Sequence, residues 1–457
     1  MRSFYFENRM YRRDAAVKRK LRITLLASAV AMTASAWVSA ETLREVVQIA
    51  VETNPTIGVA AKRKDAADAA VDAAKSGYFL KLDWQHGSGI ERTQSVTTLA
   101  TGNNWVRMQR KVDTMVANQM LWDGLGTRSE VERRRSISDA AAYRVHSAAE
   151  DVALLAVDAY VDVLKNKELV GYAKENLQAH QKTFDQVKLR SDRGVGRRAD
   201  LDQIEARMAL ASANLQSAES TLRDAEIAFQ RVVGRNPIAL AEIAESKPLP
   251  NSVDEAVKIG FLNHPTLKSA YADIGQAAAQ RELARSFWSP RVELEASYSN
   301  NSNLDGIAGP NRDRMIMLFV KWNLFRGGFD YHRLRETAYQ IDEATEISRN
   351  TTRQVENAVR VAHNAYNTAR ERLPSLERYV KASDATRASY AQQFAIGQRT
   401  LLDLLDAENE FFTSRSTYVT GKYIEISAKY RVLNAMGLLL STFDIKQPDQ
   451  AKLLPRR

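Results

Sequence analysis

Residues 43–57 read LREVVQIAVETNPTI, and residues 253–267, 210 positions further on, read VDEAVKIGFLNHPTL. Asn54, Pro55 and Thr56 thereby fall on His264, Pro265 and Thr266. The same offset carries Lys81, Leu82 and Asp83 onto Arg291, Val292 and Glu293. It then drops to 203, where LWDG at residues 121–124 falls on LFRG at residues 324–327. The 203 spacing persists through Gly194 on Gly397, Asp200 on Asp403 and Glu205 on Glu408. The chain is written twice, so one supersecondary unit is built twice. The first copy carries seven extra residues between the anchors, and an insertion confined to one interval marks a loop that tolerates length change.

Each copy has the same order of helix, two strands and a very long helical hairpin. The first spans residues 41–235 and the second 253–443, joined by a linker at 236–252 that holds Pro237, Pro248 and Pro250. The polar tail, 444–457, with Pro448 and Pro455, reads as poorly ordered. The hairpins fall at about 129–233 and 329–440. Leu201, Ile204, Met208, Ala211, Leu215, Ala218, Leu222, Ala225, Phe229 and Val232 recur at spacings of three and four, a sustained coiled-coil seam. The second copy repeats it from Leu404 to Ala435 less regularly, because Glu425 enters the seam. The helix before the first seam, about residues 129–191, lacks proline and would reach roughly 95 Å at 1.5 Å per residue. Pro374 in its counterpart falls on Gly171, so either a bend or break recurs at one height or two tolerated residues coincide.

The chain has 457 residues, no cysteine, ten prolines and a formal charge of +10. Disulfides, zinc thiolates and cysteine nucleophiles are excluded. The basic surplus is local, since residues 1–40 hold eight basic and two acidic side chains. Arg12, Arg13, Lys18, Arg19, Lys20 and Arg22 precede an uncharged run, and Val38-Ser39-Ala40 offers small residues for cleavage. Residues 1–40 therefore read as a signal peptide with the mature chain starting at Glu41. An uncleaved anchor helix is the alternative, but Thr24, Ser28, Thr33 and Ser35 leave its apolar part short of about 20 residues. No other stretch is long and apolar enough, so a membrane-inserted mature chain must enter as strands.

Strands are expected at about 78–86, 111–122, 291–299 and 315–325, where apolar and polar residues alternate, enclosing polar loops at 86–110 and 300–313. Trp84, Trp105, Trp122, Trp288 and Trp322 all fall in these regions and none in the helical arms, which suits aromatic girdles at a membrane interface. Four strands cannot close a barrel, since the smallest use about eight. An open edge in lipid leaves backbone groups unpaired. Strands that cross a membrane must therefore be pooled by several chains, and a pooled barrel continued by coiled helices is a tube.

The doubled order, the NPT and HPT marks, LWDG and LFRGG, and FAIGQRTLLDLLDAENE at residues 394–410 resemble the TolC family of outer-membrane channel proteins. The resemblance implies a mainly α chain with a small β part. Its strands would join a shared trimeric barrel in the Gram-negative outer membrane, and its helices would form a periplasmic tunnel. It implies a homotrimer that meets a periplasmic adaptor protein and an inner-membrane ABC-type transporter or proton-driven pump. Arg399 matches a basic residue that ties the closed hairpin to its neighbour, Asp200 its acidic partner, and Phe394 stands where the family has a tyrosine. Ala199 replaces a hydroxyl residue of that link. Asp403 and Asp406 match carboxylates that ring the pore constriction, and their i, i+3 spacing puts them on one helical face. At about 6 Å and an effective dielectric near 20, each pair in such a ring repels by roughly 3 kcal/mol, which favours cation binding. Gly194, Val195, Gly196, Gly397 and Gln398 form the exposed tips, which the family implies as adaptor-docking points and which simple turn geometry also explains.

Catalysis has little support. The six histidines are scattered without a metal-ligand pair at helical spacing, no phosphate loop occurs, and no cofactor is expected. The expected function is a passive gated exit duct of a tripartite export system, with type I protein secretion favoured over small-molecule efflux by the absence of a lipidated cysteine. A structural coiled-coil envelope protein is the rival of another class.

Overall fold

The computed structural model describes residues 40–194, 196–243 and 248–455. The expected signal peptide, up to residue 39, lies outside them. The first copy comprises α1 (Leu43–Thr53), α2 (Pro55–Lys75), β1 (Lys81–Thr93), a short α3 (Val96–Ala100), β2 (Val106–Trp122), α4 (Gly126–Asp192) and α5 (Arg198–Val233). The second comprises α6 (Val253–Asn263), α7 (Pro265–Ser286), β3 (Arg291–Leu304), β4 (Ile307–Lys321), α8 (Phe329–Ala395) and α9 (Leu401–Ala435), followed by α10 (Leu439–Thr442).

The NPT and HPT marks are joints. Asn54 ends α1 and caps α2 by accepting from the Thr56 amide at 3.0 Å, and His264 Nδ1 accepts from the Thr266 amide at 3.3 Å. The proline occupies the first helical position, where a missing N–H costs nothing. Each expected first helix is thus two helices.

α4 and α8 each run for 67 residues, about 100 Å at the α-helical rise. Neither Gly171 nor Pro374 breaks its helix. The first seam is turned inward throughout, with Ile204, Ala211, Ala225, Phe229 and Val232 buried and the intervening positions half-buried. Glu425 of the second seam is half-buried, and Ser414 meets Ser383 through a buried hydroxyl pair at 2.7 Å. The main core gathers Val145, Ala149, Val152, Ala156 and Tyr160 of α4 with Val46 and Val47 of α1, Phe229 of α5 and Val432 of α9. Tyr160 carries the linker. Its hydroxyl lies 2.8 Å from the Glu41 carbonyl and 2.6 Å from that of Ala241. Burial raises its pKa to about 12, so it remains a donor.

The expected disordered tail is docked. Ile445 packs against the main core, Gln447 reaches His146 at 3.2 Å, and Ala451 joins the core. Polar composition hid these few anchoring contacts.

The four strands form one antiparallel sheet in the order β1-β2-β3-β4. They run further toward their connections than expected, while β1 starts at Lys81 rather than 78 and β4 ends at Lys321 rather than 325; most of the supposed polar loops belong to the ladder, leaving α3 in one connection and a turn at Asp305 and Gly306 in the other. Register partners share a face. Leu82, Ala117, Ala296 and Ile316 form one row and Trp84, Met115, Tyr298 and Arg314 the next, with Leu294, Leu318 and Val320 on the same side. Lys81, Asn118, Glu295 and Met317, then Asp83, Val116, Ser297 and Met315, lie on the other face, which holds every charge of these rows but that of Arg314. Leu82, Trp84, Ile316, Leu318 and Val320 are all exposed, at 58–78 % of their surface. One face is thus made for lipid and the other for water.

Candidate functional site

The two long hairpins meet at their tips, at the end of the helices remote from the sheet. Val187 and Phe184 of α4, Leu201 and Ile204 of α5, Phe394 and Ala391 of α8 and Leu401, Leu404 and Leu405 of α9 pack as a second, separate core. Phe394 is therefore a packing residue, 7 % exposed, and needs no hydroxyl there. Arg190 is one of the residues that tie the hairpins. Its guanidinium lies 4.9 Å from the Phe394 ring centroid and donates at 3.1 Å to the Ala395 carbonyl at the C-terminus of α8. A cation there also meets the negative end of the helix dipole. Sequence reading missed Arg190, because its target, 205 positions away, leaves no local signal.

The tips turn by left-handed glycines. Gly397 has φ of 77° and closes α8 with two bonds, Gly397 N–H to Phe394 O at 3.1 Å and Gln398 N–H to Gln393 O at 2.8 Å. Gly194 has φ of 75°, and a Cβ on Gly196 would stand 2.7 Å from the Ser191 nitrogen. Both turns thus need glycine for geometry alone. Val195 lies outside the described residues.

Asp403 sits in the first turn of α9. Its amide donates to Thr400 Oγ1 at 3.2 Å, the Thr400 hydroxyl donates back to Asp403 Oδ2 at 2.8 Å, and Arg399 stands 3.8 Å away. Asp406, one turn on, faces Arg207 of α5 at 3.3 Å. Each carboxylate has a guanidinium neighbour within its own chain, which lowers the repulsion expected of a bare ring. Arg399 lies 4.2 Å from the Tyr390 ring centroid and donates to Gln393 at 2.8 Å. Asp200 lies half-buried in the first turn of α5, and among the described residues of the single chain no ion pair joins it to Arg399.

Behind the tip core, Glu408 is enclosed between the hairpins with Arg387 at 3.5 Å, and Asp384 holds the other side of that guanidinium at 2.8 Å. Burial raises the Glu408 pKa, opposed by Arg387 and by His180 of α4. Among the described residues no group of three His, Asp or Glu side chains is placed to hold a metal.

At the other end, Trp122, Trp288 and Trp322 cluster where the sheet joins the helices, with Trp322 Nε1 donating to the Trp288 carbonyl at 3.2 Å. Trp84 stands at the far limit of the apolar rows, so these four bracket the lipid-suited face. Trp105 stands apart, about 30 Å further along β2 at the strand rise, under the Arg92 guanidinium at 5.2 Å.

The family model described as outer membrane efflux protein matches residues 46–235 and 261–438. The outer membrane efflux protein BepC of Brucella suis is 24 % identical over 92 % of this chain and 91 % of its own. The outer membrane protein TolC of Escherichia coli is 22 % identical over 88 % and 83 %. The alkaline protease secretion protein AprF of Pseudomonas aeruginosa is 22 % identical over 86 % and 83 %. Among solved structures, the outer-membrane channel OprN superposes with a TM-score of 0.75 at 20 % identity, covering 86 % of this chain and 89 % of that one. The Campylobacter jejuni CmeC outer membrane channel does so with 0.75 at 17 %, covering 90 % of each. The chain belongs to the outer membrane efflux protein family: it is an outer-membrane channel protein, not an enzyme, with its sheet in that membrane and its long helices in the periplasm.

Proposed function

We propose that the chain is the passive, gated exit duct of a tripartite export assembly. Three copies pool their strands into one barrel, and the hairpin tips meet a periplasmic adaptor that joins them to an inner-membrane transporter. The observation that carries this is the four-stranded sheet with one lipid-suited and one water-suited face and two exposed edges, which no single chain seals. The route proposed is type I protein secretion. It is supported by relatives whose names are those of protease secretion proteins, AprF and PrtF. Small-molecule efflux is the second reading, favoured by the likeness to BepC, named as an efflux protein. Crosslinking intact cells and purifying the chain separates them. An ABC-type transporter in the complex supports secretion, and a proton-driven pump would replace that reading with efflux.

The gate lies at the tips. The second core and the Arg190 tie hold the two hairpins of a chain together, while Asp403 and Asp406 face the constriction of the trimer. Multivalent cations block the closed pore through these two carboxylates, and Asp403→Ala with Asp406→Ala abolishes the block in single-channel recordings. Unchanged block would reject the assignment.

A further inference from the structure

The outward face of the sheet changes character from the Trp84 row onward. Continuing away from the helices on the same side as Leu82, Ile316 and Leu318, the register places Arg314 and Arg312 on β4 and Lys111 on β2, within about 13 Å along the strands. All three are exposed, and none has an ion pair among the described residues. The one acidic side chain on that face of the strands, Asp113, is held by His86 at 2.7 Å. The opposite face is different. There Arg291 and Lys321 share Glu293 at 2.5 and 2.9 Å, and Arg110 meets Glu91 at 3.1 Å. The bore is charge-balanced by its own carboxylates, and the rim of the outward face is not.

The side chains are also oriented, since Arg314 lies over the Tyr298 ring at 5.7 Å. Such stacking orients a guanidinium while leaving its in-plane donors free. The height also fits. Trp322 to Arg314 spans about 26 Å along the strand, close to the roughly 25 Å apolar band of outer-membrane barrels once tilt is allowed for. The girdle therefore starts where outer-leaflet headgroups begin.

We infer that Arg312, Arg314 and Lys111 form a docking girdle for the phosphorylated headgroups of outer-leaflet lipid. The phosphates sit in the forks of the arginines, which suit planar bidentate contact. This rests on the sheet standing in the outer membrane but on neither the export route nor the gate.

The test uses the full-length mature protein, folded into nanodiscs whose lipid includes either bis-phosphorylated lipid A or the same lipid A with both phosphates removed. Co-retained lipid A is quantified by mass spectrometry after exchange into fresh discs. Wild-type protein is expected to retain the phosphorylated form at least tenfold better than the dephosphorylated one. That comparison needs no variant, so a folding failure cannot obscure it. R312Q/R314Q/K111Q is expected to lose the preference, and the mirror variant R110Q/R291Q/K321Q, with the same charge loss on the bore face, to keep it. Channel conductance of the same preparations, transferred to planar bilayers, reports that the barrel has formed. Equal retention of both lipids by conducting wild-type protein, or equal loss in both variants, overturns the inference.

Discussion

α4 and α8 are equally long and hold equivalent places in two copies of one unit, yet one is enclosed and the other is not. α4 packs against α2, α5, α7 and α9, and buried side chains line it from Gly126 to Val187. α8 packs only against α6, α7 and α9 among the major contacts, and buries far fewer. The side chains follow the difference. At the 203 offset, Ser136, Arg144 and Asp158 of α4 stand where α8 carries Tyr339, Ile347 and Val361, which are 62, 55 and 60 % exposed. Repetition sets the shape of the unit, while the exposed residues tell which copy is completed inside the chain. An apolar stripe left open along a helix marks a surface that another protein covers, and in the proposed trimer the neighbouring chain covers it.

The largest expected effect breaks that contrast directly. Replacing Tyr339, Ile347 and Val361 together by Glu should leave helix content unchanged by circular dichroism but abolish the oligomer on a native gel. Persistence of the full-size species would remove α8 from the interface. Next comes a pair inside the core, since Phe229 and Val432 are equivalent by the same offset and both wholly buried. Phe229→Ala should cost about 3–5 kcal/mol and Val432→Ala about 2 kcal/mol in denaturant unfolding. Equal costs would mean that the two seams do not bear on one core as described.

Smaller effects sharpen the comparison at the tips and joints. Arg190 in the first copy corresponds to Gln393 in the second. Arg190→Ala should weaken the tip by about 1–2 kcal/mol and raise closed-state conductance, with Gln393→Ala doing less; a reversed order would place the tie elsewhere. At the joints, Asn54 does not titrate but His264 does. Burial, then the nearby His146, lowers the His264 pKa below 6.5. Its cap contribution, about 1 kcal/mol, is thus fully present above 6.5 and is lost as pH falls through the lower folded value. His264→Asn should flatten the stability profile below pH 6.5, and an unchanged profile would mean the cap is not the titrating element.

The sequence made the doubled unit, the seams and the strand positions legible because each leaves a periodic trace. Strand ends were not legible, since apolar alternation stops with the lipid-suited rows while the hydrogen-bonded ladder continues through Ser88, Lys111, Ser302 and Pro310. Composition cannot report a backbone bond. Asn54 and His264 were visible as repeated marks but not as helix joints, because a cap and a turn use the same residues. At the tips the glycines could be read from the turn they make. Arg190, Arg207 and the enclosure of Glu408 could not, since each depends on a partner across the hairpins. Of the two readings of Pro374, a bend or break and a tolerated residue, the unbroken α8 supports the second, and Leu373 and Leu376 on either side pack by Gly421 of α9.

Pooling of strands between chains is the claim on which the duct depends. Native mass spectrometry of the mature protein released from detergent tests it most directly. A mass of three chains is the predicted result, and a folded species at the mass of a single chain would contradict it.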